Sequence, residues 1–236
     1  RGRKLTGFEA LIRWQPPGQS MIFPDQFIPV AEESGLIVDL GNLMIREACR
    51  QLALWQRWDI EIAVNVSMRQ LRSGLLVATI RDALSANDVP ARCLKVEITE
   101  SAMMENVEDT AEQLREIKKL GVRISVDDFG TGFSSLSHLK MLPVDEMKID
   151  RSFVVDVATN KHSQKIVNSI VRLAHELQLK VVAEGVEDES AMTYLRSIGC
   201  DLAQGYLFDR PRPAEQLVER GWLDPSGNAA RNRATA

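Results

Sequence analysis

Short β-branched runs alternate along most of the chain with longer stretches whose apolar residues recur every three or four positions. The runs at 7–13, 61–65, 94–98, 123–127, 146–149, 180–183 and a brief 201–204 predict strands. The stretches at 38–57, 107–120, 164–177 and 189–198 predict amphipathic helices. Gly121 and Gly199 stand where helix C-caps belong, while Pro24 with Asp25, and Ser101 in the turn after the third strand, read as helix starts. Such alternation predicts a parallel sheet with helices outside it. Seven strands at a spacing of roughly 20 to 35 residues, with no glycine- or serine-rich linker, predict one α/β domain over 1–223, a TIM-like (β/α)8 barrel. Only six residues precede Gly7, too few for a strand and its connection, so the barrel's first strand is expected upstream. The tail 224–236 has almost no large apolar residues and is expected to be disordered.

Composition narrows the class. The 236 residues are 44% hydrophobic and 26% charged, which fits a globular protein and excludes collagen-like, disordered and disulfide-scaffold chains. Lysine and arginine number 29 against 33 aspartates and glutamates, so the basic excess that non-specific binding to a nucleic-acid polymer needs is absent. No apolar run approaches the ~20 residues that cross a bilayer, and the basic start is not followed by a secretory core. The domain is therefore expected in the cytoplasm, with membrane attachment open to a full-length protein. Cys49, Cys93 and Cys200 are too far apart for a close ligand pair, and His138, His162 and His175 have no ligand spacing. Reduced, buried thiols are expected, and a zinc site is not.

The candidate chemistry lies at the strand ends, which in barrel enzymes form the catalytic face. Glu9 lies within the first run; Asn65, Glu97, the adjacent Asp127 and Asp128, and Glu184 end later ones. Lys148 falls in the fifth run and Gln204 follows Leu202-Ala203 in the last. Two like charges ~4 Å apart repel by about 4 kcal/mol at a typical effective dielectric, so carboxylates gathered at one rim need cations. Oxygen ligands without histidine or cysteine suit Mg2+ or Mn2+, with Ca2+ as an inhibitory substitute. Adjacent aspartates suit a pair of ions and hence hydrolysis of a phosphate ester. Residues 129–135, with two glycines, follow these aspartates as either an ordinary connection or a functional lid.

Seven pieces in order now carry a resemblance. Gly7-Phe8-Glu9-Ala10-Leu11-Ile12-Arg13-Trp14 is followed by Asn65-Val66-Ser67, Val96-Glu97-Ile98-Thr99-Glu100-Ser101 and Asp127-Asp128-Phe129-Gly130-Thr131-Gly132. Met147-Lys148-Ile149-Asp150, Ala183-Glu184-Gly185-Val186-Glu187 and Gln204-Gly205-Tyr206-Leu207-Phe208 complete the series. Over nearly its whole length the chain resembles the EAL-domain phosphodiesterases that hydrolyse bacterial cyclic di-GMP to linear 5′-pGpG.

The resemblance implies that Glu9, Asn65, Glu97 and Asp127 hold one ion while Asp127, Asp128 and Glu184 serve a second. It implies that Lys148 orients the attacking water and offsets phosphoryl charge, that Gln204 positions, and that Glu9 and Glu184 belong to the catalytic set. Arg13 would hold the non-scissile phosphate, with Leu11 and Phe208 also against substrate. Glu100 would brace the loop after the aspartates, and that loop would carry a homodimer contact. For Lys148 the alternative is a strand-edge solubility residue, for Arg13 a salt bridge to the acids, for Glu100 a helix N-terminal acid, and for Phe208 a core aromatic. Family members are commonly fused to sensory or cyclase domains, which implies an upstream partner domain. The family's first, antiparallel strand has no counterpart among these residues, and Asp209 stands where a small residue is common. A silent cyclic di-GMP receptor is the main rival function; a barrel enzyme acting on another phosphate ester is a third.

Overall fold

The computed structural model describes residues 4–103, 106–132 and 136–223, with residues 136 and 137 by backbone alone. The expected tail 224–236 and the end of the expected loop at 133–135 lie outside the described residues. In chain order the elements are β1 (Gly7–Ala10), α1 (Pro24–Ser34), α2 (Ile37–Trp55), β2 (Glu61–Asn65), α3 (Met68–Arg72), α4 (Leu76–Ala86), a 3-10 turn (Ala91–Cys93) and β3 (Leu94–Thr99). They continue with α5 (Glu100–Met103), α6 (Val107–Lys119), β4 (Arg123–Phe129), α7 (Leu136–Leu139), β5 (Glu146–Ile149), α8 (Arg151–Val154), α9 (Lys161–Glu176), β6 (Lys180–Ala183), α10 (Glu189–Ser197), β7 (Leu202–Ala203) and α11 (Ala214–Glu219).

These elements fall into two compact units. The first comprises the described residues to 96, with 120–122 and 211–223; the second comprises 97–119 and 123–210. In the first unit β1 runs parallel to β2, with Glu9 opposite Ala63. Helix α2 packs on β2, α3, α4 and α1. Ile45, Cys49 and Leu52 recur at three- and four-residue intervals on its fully buried stripe. In the second unit β4, β5, β6 and β7 are parallel neighbours in that order, and α9 packs on β5 and β6 through Val167, Ile170, Val171 and Ala174. The expected parallel α/β order is borne out among the described residues.

Strands β2, β5 and β6 occupy the expected residues, whereas β1 stops at Ala10 instead of reaching residue 13. Beyond Ala10 the chain leaves β2, and Trp14 pairs antiparallel with Ile22. Helix α9 begins three residues earlier than expected because the Asn160 side chain accepts from the His162 N–H and caps it. Helix α1 was expected only as a helix start at Pro24 and Asp25, with no extent given, and helix α4 was not expected. For α1 the signal was present: Pro24 stands in its first turn, where its missing N–H costs nothing. Helix α4 starts after Leu75 with no side-chain cap, so no sequence signal marks its beginning.

No helix among the described residues is long and apolar enough to cross a membrane. Cys49 and Cys93 are buried and Cys200 is half-buried. Burial pushes the Cys49 thiol up to about 11 and the Cys200 thiol up to about 12. The reactive thiolate is thus scarce in the native state below those values. Native protein at pH 8 is expected to leave Cys49 and Cys200 unmodified by iodoacetamide, and denatured protein to be alkylated at both, as read by mass spectrometry of peptides. Above pH 9 the sign is destabilising for the native state, because unfolded thiols release protons that these two retain.

Candidate active site

In the second unit the acids are assembled around a lysine. Lys148 is the third residue of β5 and is 1% exposed. Its Nζ lies 2.7 Å from Glu97 Oε2 on β3, 3.1 Å from Asp127 Oδ1 on β4 and 2.6 Å from Glu184 Oε1 just after β6. Parallel pairing creates this convergence, since Lys148 is opposite Val182 and the strands end at a similar height. A strand-edge solubility role for Lys148 is excluded by its burial. An ammonium is buried only with charged partners, and three carboxylates supply them.

Consecutive strand residues point to opposite faces, so Asp127 and Asp128 would not both serve one site in a regular β4. The structure resolves this with a bulge. Val126 is opposite Met147 and Phe129 opposite Ile149, so Asp127 and Asp128 together face Lys148 alone. Asp128 takes the left-handed conformation with φ 55°. Its N–H donates to Asp127 Oδ1 at 2.9 Å, and its carbonyl accepts from the Thr131 hydroxyl at 2.9 Å. Carboxylate oxygens of Asp127, Asp128 and Glu184 come within 4.8 Å of one another. Three hard oxygen donors at that mutual distance fit a divalent cation such as Mg2+ or Mn2+.

Glu100 opens α5 and is 2% exposed. Its Oε2 accepts from the Gly130 N–H at 2.8 Å and the Gly132 N–H at 3.4 Å, tying down the start of the loop after the aspartates. Its contacts are those of a loop brace as well as of an acid in a first helical turn. Gln204 is held by its backbone, whose N–H donates to the Ala183 carbonyl at 2.8 Å and whose carbonyl accepts from the Val186 N–H at 3.0 Å. Phe208 is half-buried, and its N–H donates to the Gly205 carbonyl at 3.1 Å.

In the first unit the Asn65 amide donates through Nδ2 to Glu9 Oε1 at 2.8 Å, linking the ends of β2 and β1. With Nδ2 committed, Oδ1 is the Asn65 atom suited to a cation. Arg13 donates to the Ile12 carbonyl at 2.7 Å and lies over the Phe23 ring, 5.6 Å from its centroid. Leu11 is 39% exposed and Phe23 52%, an accessible apolar setting beside that guanidinium.

The sequence reading gave no role to four residues of the second unit, Arg151, Glu187, Tyr206 and Arg210. Arg151 pairs with Glu187 at 2.6 Å, and the guanidiniums of Arg151 and Arg210 lie 6.0 and 4.4 Å from the Tyr206 ring centroid. Their signal was position: each of Arg151, Glu187 and Tyr206 follows Lys148, Glu184 or Gln204 by two or three residues.

Comparison with known proteins gives this arrangement a family. The EAL domain model matches residues 1–211. The chain is 45% identical over 217 residues to the bifunctional diguanylate cyclase/cyclic di-GMP phosphodiesterase MucR of Pseudomonas aeruginosa, covering 91% of this chain and 32% of that protein. It is 45% identical over 223 residues to the oxygen sensor protein DosP of Escherichia coli, covering 93% of this chain and 28% of that protein. It thus spans about a third or less of the length of these relatives. The solved structure of PaMucR phosphodiesterase in its c-di-GMP complex matches with a TM-score of 0.85 at 45% identity, covering 89% of this chain and 86% of that one. With the motifs in family order, a model matched over most of its length and this α/β fold, the chain belongs to the EAL domain family.

Proposed function

We propose that the chain is a metal-dependent phosphodiesterase that hydrolyses cyclic di-GMP to 5′-pGpG. The observation that carries this reading is the Lys148 ammonium among Glu97, Asp127 and Glu184, with Asp128 brought beside two of them by the bulge. Relatives named as cyclic di-GMP phosphodiesterases and a solved c-di-GMP complex at 45% identity support the substrate.

On the family pattern Glu9, Asn65, Glu97 and Asp127 would hold one ion, and Asp127, Asp128 and Glu184 would serve a second, directly or through water. When bound, Mg2+ or Mn2+ supplies Lewis acidity at the phosphoryl oxygens and a more acidic water. The protein groups then divide the remaining work. Lys148 orients the water and offsets charge on the transferring phosphoryl, and Gln204 positions the reacting groups. Arg13 presents forked donors to the neighbouring phosphate, while Leu11 and Phe208 provide apolar surface for the bases. Glu100 keeps the loop after Asp128 in register, and we assign a homodimer contact to that loop on the family pattern. MucR is named a bifunctional diguanylate cyclase/cyclic di-GMP phosphodiesterase and DosP an oxygen sensor protein, and this chain covers 32% and 28% of their lengths. We infer that this domain acts in the cytoplasm under an upstream sensory or cyclase domain.

Incubating the protein with cyclic di-GMP and Mg2+ or Mn2+ is expected to yield pGpG, resolved by chromatography. Ca2+ is expected to permit binding and suppress turnover, because its longer and looser coordination places the water poorly. Tight binding without turnover in Mn2+ would replace this reading with the receptor function.

A further inference from the structure

Asn65 is the last residue of β2, and the chain turns into α3 only two residues later. That turn is a closed capping box. The Ser67 hydroxyl accepts from the Gln70 N–H, and Gln70 Oε1 accepts from the Ser67 N–H, both at 3.2 Å. Capping boxes are normally found at exposed helix starts, but this one is buried on its glutamine side: Gln70 is 1% exposed. Its amide lies against α2 at Gly41, the fifth residue of that helix. A Cβ on Gly41 would stand 2.0 Å from Gln70 Nε2 and 2.1 Å from Cδ and Oε1, so a glycine in the helix interior makes the space that the amide occupies. Glycine in that position costs helix stability, about 1 kcal/mol relative to alanine, and here the cost coincides with a specific contact. The Gln70 Nε2 is buried without a hydrogen-bond partner among the described residues, so the amide is held through its Oε1. What its placement does achieve is to fix the backbone of Ser67, two residues beyond Asn65, against the rigid α2.

We propose that Gln70, seated on Gly41 and closed onto Ser67, is a positioning residue for Asn65: it sets the direction in which the Asn65 amide leaves β2, and thereby the strength with which Asn65 and its partner Glu9 hold a divalent ion. The inference rests on the metal-dependent reading above. Residues that orient a metal ligand from behind typically change metal affinity by 10- to 100-fold when lost, and a residue that only stabilises the fold does not.

The test is a Mn2+ titration of the whole domain, free Mn2+ being read by electron paramagnetic resonance, with thermal melting and pGpG formation measured in parallel. Gly41→Ala, which fills the amide's space, and Ser67→Ala, which opens the box without crowding, are expected to weaken Mn2+ binding by about tenfold. Ser67→Thr keeps the capping hydroxyl and is expected to restore wild-type affinity. Asn160→Ala removes the α9 cap and is expected to lower the melting temperature while leaving Mn2+ affinity unchanged. Wild-type affinity in both Gly41→Ala and Ser67→Ala, or an equal loss in Asn160→Ala, overturns the proposal. Mn2+ binding by the wild type without pGpG formation overturns the hydrolase reading alone, and absence of Mn2+ binding by the wild type overturns both.

Discussion

Replacing Lys148 by methionine is expected to lower the stability of the metal-free protein by roughly 3–5 kcal/mol, the usual consequence of removing one partner from a buried ionic group. The side chain lost is 1% exposed and stands within 3.1 Å of three carboxylates, which would be left facing one another. The same variant should respond more strongly to divalent cations. In wild type an incoming ion shares its ligands with an ammonium; in Lys148→Met the uncompensated acids gain more from each bound ion, so Mn2+ should raise the melting temperature by a larger increment than it does for wild type. Turnover of cyclic di-GMP should fall by about 10²- to 10³-fold, the scale of losing one group aimed at developing charge. Calorimetry in chelator and in Mn2+, beside the chromatographic assay, reads all three. A variant as stable as wild type in chelator would show that the acids do not depend on Lys148.

Glu9→Ala should behave in the opposite way, with a folded protein and no catalysis. Glu9 is half-buried and its hydrogen bond to Asn65 is exposed, so stability should change by no more than about 1 kcal/mol. Loss of a group behind a metal ligand already costs 10- to 100-fold, so loss of a ligand should exceed roughly 100-fold in turnover. Melting curves that overlay with wild type and an assay without pGpG are the expected pair. Retained turnover would remove Glu9 from the ligand set.

Much of this arrangement was legible in the chain because it depends on period and position. Runs such as 146–149 and 180–183 are short and each is followed directly by an acid, and their limits coincide with β5 and β6. Acids at the ends of β3, β4 and β6 could be counted from the sequence alone. The bulge could not, since its signature is a register difference between β4 and β5 and no local composition betrays it. Nor could the depth of Lys148: a lysine in a four-residue strand reads equally as an edge residue, and the convergence of Glu97, Asp127 and Glu184 helps to make its burial tolerable. The Gly41 and Gln70 contact is similarly invisible, because residues 29 positions apart meet through tertiary packing.

The bulge also constrains which acid can occupy position 128. Aspartate and asparagine are the side chains, after glycine, that most readily accept left-handed backbone, because their short polar groups can bond locally. Glutamate carries the same charge without that tolerance. Asp128→Glu would therefore conserve electrostatics and lose conformation, whereas Asp128→Asn would conserve conformation and lose electrostatics. Taken together, the charge-conserving and the isosteric replacement separate the shape of the backbone at this position from the charge it delivers.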